Sequence, residues 1–130
     1  MFCGTWPAFA EEQNMIYAYI NEDVLTIKPA ENSSASAFMD LLRSGDVTVA
    51  MHDYGNFEKV GNLPQSLPKN DEKITTVPGD IILYQGNKIT IYYAENTWDF
   101  TKLGHINNIT QEELKTVLGD GDVTVSLSIS

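Results

Sequence analysis

The sequence predicts a mainly β domain of about eight short antiparallel strands closed into a barrel or a sandwich, with two short helices. Three observations carry this. Most apolar residues recur at a period of two, as in Val47, Val49 and Met51 or Val123, Val125, Leu127 and Ile129. Only two segments place apolar residues at helical spacing, too few helices for a doubly wound sheet. Antiparallel strands this short leave exposed edges unless the sheet closes on itself.

The elements follow in order. Met15–Ile20 alternates and is rich in β-formers, Asn21-Glu22-Asp23 is a turn, and Val24–Ile27 returns as the second arm of a hairpin. Pro29 ends that arm, since it has no N–H to give a ladder. Ser33 or Ser34 then caps a helix over Ser34–Ser44, with Ala35, Phe38, Met39 and Leu42 on one face and Gly45 beyond its end. Val47–Met51 is a half-buried strand, and Phe57–Val60 is a short one bracketed by Gly55 and Gly61. Pro64, Pro68 and Asn70 make Leu63–Asp71 a loop, Ile74–Val77 is an edge strand, and Pro78-Gly79 is a turn. Asp80–Tyr84 and Lys88–Tyr93 flank Gln85-Gly86-Asn87 as a hairpin that puts Ile81, Leu83, Ile89 and Ile91 on one face. Trp98–Leu103 alternates again. Thr110 and Glu113 form a capping box for the second helix, with Ile109 and Leu114 as its staple and Gly119 at its end. Val123–Ile129 is the last strand.

Composition narrows function. The chain has 130 residues, 42% hydrophobic and 20% charged, which suits one globular domain. Eight basic residues face 18 acidic ones, for a net charge of −10, and the lysines are scattered singly, so nucleic acid is not an expected partner. No apolar run is long enough for a membrane span. A single cysteine, Cys3, excludes an internal disulfide and multi-cysteine zinc sites. No nucleophile elbow, phosphate loop or zinc-protease motif occurs. His52 stands beside Asp53 and His105 follows Asp99, but both histidines suit outward strand positions, and no metal or cofactor is expected. Residues 1–13 follow no period, so the folded domain is placed at 14–130. Ala8-Phe9-Ala10 ahead of Glu11-Glu12 has the form of a signal-cleavage site, which implies export; the other reading is an irregular terminus on a cytoplasmic protein.

Gly45-Asp46-Val47-Thr48-Val49 recurs as Gly121-Asp122-Val123-Thr124-Val125, and Gly79-Asp80-Ile81 opens a third strand. The expected role is a shared helix-to-strand turn, with each Asp bonding nearby backbone N–H groups. Calcium loops need several alternating carboxylates, which are absent.

Several longer runs carry a resemblance. They are Asp53-Tyr54-Gly55-Asn56-Phe57-Glu58-Lys59-Val60-Gly61, Leu63-Pro64-Gln65-Ser66-Leu67-Pro68, Pro78 through Asn87, Trp98 through Ile106, and Gly119-Asp120-Gly121-Asp122-Val123. In order and spacing, over Met15 to Ile129, they resemble the bacterial cyclophilin-like family, small proteins with no settled activity. The resemblance implies a closed antiparallel barrel with two helices. It does not bring an enzyme with it. The prolyl isomerase signature, Phe-His-Arg followed by Phe-x-x-Gln-Gly-Gly-Asp, does not occur, and the only arginine, Arg43, falls at a helix end. No catalytic residue is therefore assigned.

The expected activity is binding of a small ligand or a peptide, with a weak or unconventional prolyl isomerase as the alternative. A third reading is an accessory module beside a redox or envelope protein. Tyr54, Phe57, Pro64, Leu67 and Trp98 form an apolar set with few charges, on loops where a barrel exposes binding residues. The competing reading is that these side chains plug the barrel end.

Overall fold

The computed structural model describes residues 15–55 and 58–129. The segment 1–13, including Cys3 and Ala8-Phe9-Ala10, and also Phe57, lies outside the described residues. The elements are β1 (Ile16–Ile20), β2 (Asp23–Pro29), α1 (Ser33–Arg43), β3 (Val47–Tyr54), β4 (Glu58–Asn62), β5 (Glu72–Thr75), β6 (Asp80–Tyr84), β7 (Lys88–Tyr92), β8 (Thr97–Ile106), α2 (Gln111–Leu118) and β9 (Val123–Ser128). Eight strands run in the order β2-β1-β9-β3-β4-β7-β6-β8, all antiparallel, and β8 returns to β2 through the pairs Ile27↔Ile106 and Lys28↔His105. The sheet is therefore a closed barrel. The ninth strand, β5, pairs with β8 alone, with Ile74 opposite Trp98, and forms an edge that lies at Glu72–Thr75, two residues earlier than the expected Ile74–Val77.

Alternation fills the barrel. Ile16, Ala18 and Ile20 of β1, Val49 and Met51 of β3, and Val125 and Leu127 of β9 point inward, joined by Ile81, Leu83, Ile89 and Ile91. The two Gly-Asp-Val-Thr-Val repeats turn out to be neighbours: β3 and β9 pair with Val49 opposite Val125. Of the three repeat aspartates, Asp80 bonds a local amide, that of Val77 at 3.0 Å, whereas Asp122 turns to His52 at 2.9 Å.

Phe38, Met39 and Leu42 of α1 and Leu114 and Leu118 of α2 complete the core. The α2 capping box is formed, Thr110 Oγ1 accepting from the Glu113 amide at 3.1 Å and Glu113 accepting from the Thr110 amide at 2.9 Å. The cap of α1 is Asn32, not Ser33 or Ser34: Asn32 Oδ1 accepts from the Ala35 amide at 2.7 Å. Ser34 is drawn away because its buried hydroxyl donates to the carbonyl of Pro68. That contact seats the 63–71 loop against α1, and the Leu67 amide donates to the Gly86 carbonyl at 2.7 Å. Leu63 and Leu67 thereby close the barrel end beside the β6–β7 turn.

Two glycines stand where strands approach closely. A Cβ on Gly104 would lie 2.7 Å from the Lys28 carbonyl and 2.8 Å from Ile27 Cγ2, at the seam where β2 meets β8. Gly61 is equally confined, with the Ala50 carbonyl at 2.7 Å. No helix among the described residues is long and apolar enough to cross a membrane.

Candidate functional site

The outer surface of β4, β7 and β6 carries a second apolar layer. Successive side chains alternate between faces, so Glu58 and Val60 point outward while Lys59 and Gly61 point in. The register sets Glu58 opposite Tyr92 and Val60 opposite Thr90, with Ile82 on the far side of Thr90. Tyr92 packs against Phe100 with ring centroids 5.5 Å apart, and Tyr84 meets the same ring edge-on at 6.5 Å. Ile82, Tyr92 and Phe100 are buried although they lie outside the barrel. The buried rings are fixed by this packing and form the inner wall of a cleft of about 380 Å³. Tyr54, at the end of β3, and Trp98, on β8, stand over it and are 66% and 61% exposed. Glu58, Val60, Lys88 and Asn96 complete the lining.

The polar groups of the cleft are ordered. Asn96 Nδ2 donates to the Tyr92 hydroxyl at 3.4 Å, and that hydroxyl is hydrogen-bonded to the Glu58 carboxylate. Burial raises the Glu58 pKa above the usual carboxylate range, and the Tyr92 bond only partly offsets it. Burial likewise raises the Tyr92 phenol, which therefore stays protonated.

A different network occupies the barrel interior at the same end. Lys59 is fully buried, and its Nζ donates to Asp53 Oδ1 at 2.8 Å and to the Gly121 carbonyl at 2.5 Å. Asp53 also accepts from the Tyr93 hydroxyl at 2.9 Å and the Gly121 amide at 2.8 Å. The Lys59 bond is the main cause that holds the Asp53 carboxyl below its ordinary value, and burial pushes the Tyr93 phenol up to about 12. These groups tie β3, β4, β7 and the approach to β9 together.

The histidines go to separate aspartates. His105 Nδ1 lies 2.7 Å from the buried Asp80, which Lys102 also approaches at 3.2 Å, while His52 meets Asp122 at the exposed surface. No cluster of three metal-ligating side chains occurs among the described residues. Arg43 pairs with Asp40 at 2.6 Å on α1 and is not part of the cleft wall. It borders a wider groove of about 880 Å³ between β2 and α1 that also holds Lys28, Glu31 and Asp40 and has no aromatic wall.

Of the five residues singled out from sequence, Tyr54 and Trp98 come together at the cleft. Leu67 is buried in the barrel core and Pro64 is exposed on the loop before it, and neither lines the cleft. The 63–68 loop does not pair with Trp98, whose partner across the β5–β8 ladder is Ile74. That loop's continuation instead reaches β8 three residues further on, where the Asn70 amide donates to Thr101 Oγ1 at 2.8 Å. Glu58, Val60, Tyr84 and Lys88 enter the site through the β4–β7–β6 register, which no local pattern reveals.

The model of the Cyclophilin-like family matches residues 18–128. No curated protein matches the chain. The solution structure of a hypothetical protein from Archaeoglobus fulgidus is similar, with a TM-score of 0.65 and 12% identity, over 89% of this chain and 94% of that one. At that identity the likeness is one of fold.

Proposed function

We propose that this chain, which belongs to the cyclophilin-like family, is a non-catalytic binding module that takes a small ligand or a peptide side chain into the cleft beneath Tyr54 and Trp98. One observation carries the reading: two large, exposed aromatic side chains overhang an apolar recess whose own rings are buried and fixed. Single exposed apolar residues need no explanation, but a concave apolar site with a few convergent polar groups is the usual form of a ligand pocket. The cleft's volume falls within the range of about 300–1,000 Å³ that such sites span. Arg43 is remote from the cleft, so the guanidinium that a prolyl isomerase aims at the twisted amide has no counterpart there.

The test is Trp98→Ala. Truncating a fully buried tryptophan costs about 3–5 kcal/mol; with 61% of Trp98 exposed, about two-fifths of that, or about 1–2 kcal/mol, is expected. Amide and indole NMR shifts during a screen of aromatic and proline-containing ligands should cluster at Tyr54, Tyr92, Trp98 and Phe100. A protease-coupled assay on a Xaa-Pro peptide should run at the buffer rate. A loss of 3–5 kcal/mol with no ligand response would make Trp98 a packing residue, and a clear acceleration of prolyl isomerisation would replace the binding module by an enzyme.

A further inference from the structure

We propose that the cleft is a site for an organic cation: an ammonium group, primary or methylated, carried on an apolar body. The proposal rests on the cleft's being a binding site and names what it takes. Its centre is Glu58. That residue is only 7% exposed, yet no ion pair among the described residues includes it. Buried carboxylates are ordinarily paired with a cation, because dehydration penalises the charge. Here the Tyr92 hydroxyl supplies one hydrogen bond, itself backed by Asn96, and a carboxylate has lone pairs for about three more.

The surroundings supply what an ammonium needs. Tyr54, Tyr84, Tyr92, Trp98 and Phe100 all face the cleft, and aromatic faces attract cations through their quadrupoles. An anion would meet the Glu58 charge, and a neutral apolar molecule would leave it dehydrated and unanswered. The chain's net charge of −10 also draws cations toward its surface. Lys88 is the one cation in the lining. It pairs with Asn62, four residues along β4 from Glu58, a distance of about 13 Å at about 3.3 Å per residue. No ion pair joins Lys88 to Glu58 among the described residues, so the Glu58 end of the cleft holds a carboxyl group without a cationic partner. A purely structural role for Glu58 fits poorly. Burial disfavours its charged form, so a glutamine of the same shape would suit the fold at least as well.

The experiment compares three ligands of one shape on the full chain by calorimetry and by the NMR signal of the Trp98 indole: phenethylammonium, 2-phenylethanol and 3-phenylpropionate. The cation should bind at least about tenfold tighter than the alcohol, and the anion weakest. In Glu58→Gln that preference should shrink to about twofold or less, with affinity for the alcohol kept and thermal stability equal to or above the parent's. A lysine-containing peptide and its acetyl-lysine form tell whether the cation comes from a free amine or a side chain: tighter binding of the lysine peptide than of phenethylammonium names a peptide, and the reverse a small amine. Equal binding of alcohol and cation, or a preference that survives Glu58→Gln, would overturn the cation proposal while leaving the cleft a binding site. Binding of none of the ligands at millimolar concentration would count against both. The ranking on the parent chain decides even if the variant fails to fold.

Discussion

Replacing Lys59 by methionine isolates the interior network, because methionine nearly keeps the volume of the side chain while removing its charge and its N–H donors. In the parent, Lys59 Nζ lies 2.8 Å from Asp53 Oδ1 and 2.5 Å from the Gly121 carbonyl, with no exposed surface. Attraction of about 4 kcal/mol between charges about 4 Å apart near a protein surface is largely offset by the several kcal/mol that dehydrating an ammonium costs. The loss on substitution is therefore set by what stays behind. A fully stranded buried charge costs about 3–5 kcal/mol. Asp53 is not fully stranded: its side chain is 34% exposed and keeps the Tyr93 hydroxyl and the Gly121 amide. The Gly121 carbonyl, however, loses a donor, at about 1–3 kcal/mol if water cannot replace it. The expected loss is about 2–3 kcal/mol, without a cavity contribution. Urea unfolding measures it, as a drop in midpoint of about 1–2 M at the slope usual for small domains. A cycle with Asp53→Asn should show that the two substitutions together cost less than their sum. If Lys59→Met is as stable as the parent, the tyrosine and amide bonds alone satisfy Asp53, and the ion pair does not hold these strands together.

Acid should weaken the same network with a definite sign. Lys59 holds the folded Asp53 pKa below its ordinary 3.8, so the carboxylate's contribution is complete above about pH 4 and disappears as the pH falls through the lowered value. Urea melts from about pH 6 to about pH 2 should show that decline, and Lys59→Met should flatten it. Thr110→Ala removes the oxygen that caps α2 at the Glu113 amide and should cost about 1 kcal/mol in thermal melts; no change would mean the helix start is held from elsewhere. Gly104→Ala drives a methyl into the Lys28 carbonyl at the β2–β8 seam and should cost about 1–3 kcal/mol, with the fastest amide exchange gained in β2; an unchanged exchange pattern would show that the seam gives way freely.

Local signals were legible and long-range ones were not. The α2 capping box lies within four residues, and the structure has it as read. The α1 cap reads as Ser33 or Ser34 but is Asn32, because Ser34 looks like a cap until Pro68, far along the chain, claims its hydroxyl. The β8 strand reads as Trp98–Leu103 but runs from Thr97 to Ile106. Gly104 looks like its end, yet glycine is what lets β2 come close enough to pair there. At the cleft, Tyr54 and Trp98 are legible as large aromatics of an apolar set on loops. Glu58 and Val60 are not, because alternation shows only that they share a face. Which face, and which neighbours, depends on β4 lying opposite β7. Ile82 is equally hidden: an outward position on a barrel reads as exposed unless a second layer, here Phe100 and β5, covers it.

The position of β9 has a consequence for how the barrel is made. It follows every other strand among the described residues, yet it sits between β1 and β3, pairing Tyr17 with Ser128 on one side and Val49 with Val125 on the other. Until Val123–Ser128 has been synthesised, β1 and β3 both present bare edges, and nothing can bridge them. Joining β1 to β9 closes a loop of nearly the whole chain, and such non-local pairing is entropically costly and slow. A chain that lacks this strand would have two unpaired edges, and such edges are where sheets pair with other copies. By this topology the insertion of β9 is a step that folding speed and resistance to aggregation should depend on, separately from the stability of the finished barrel.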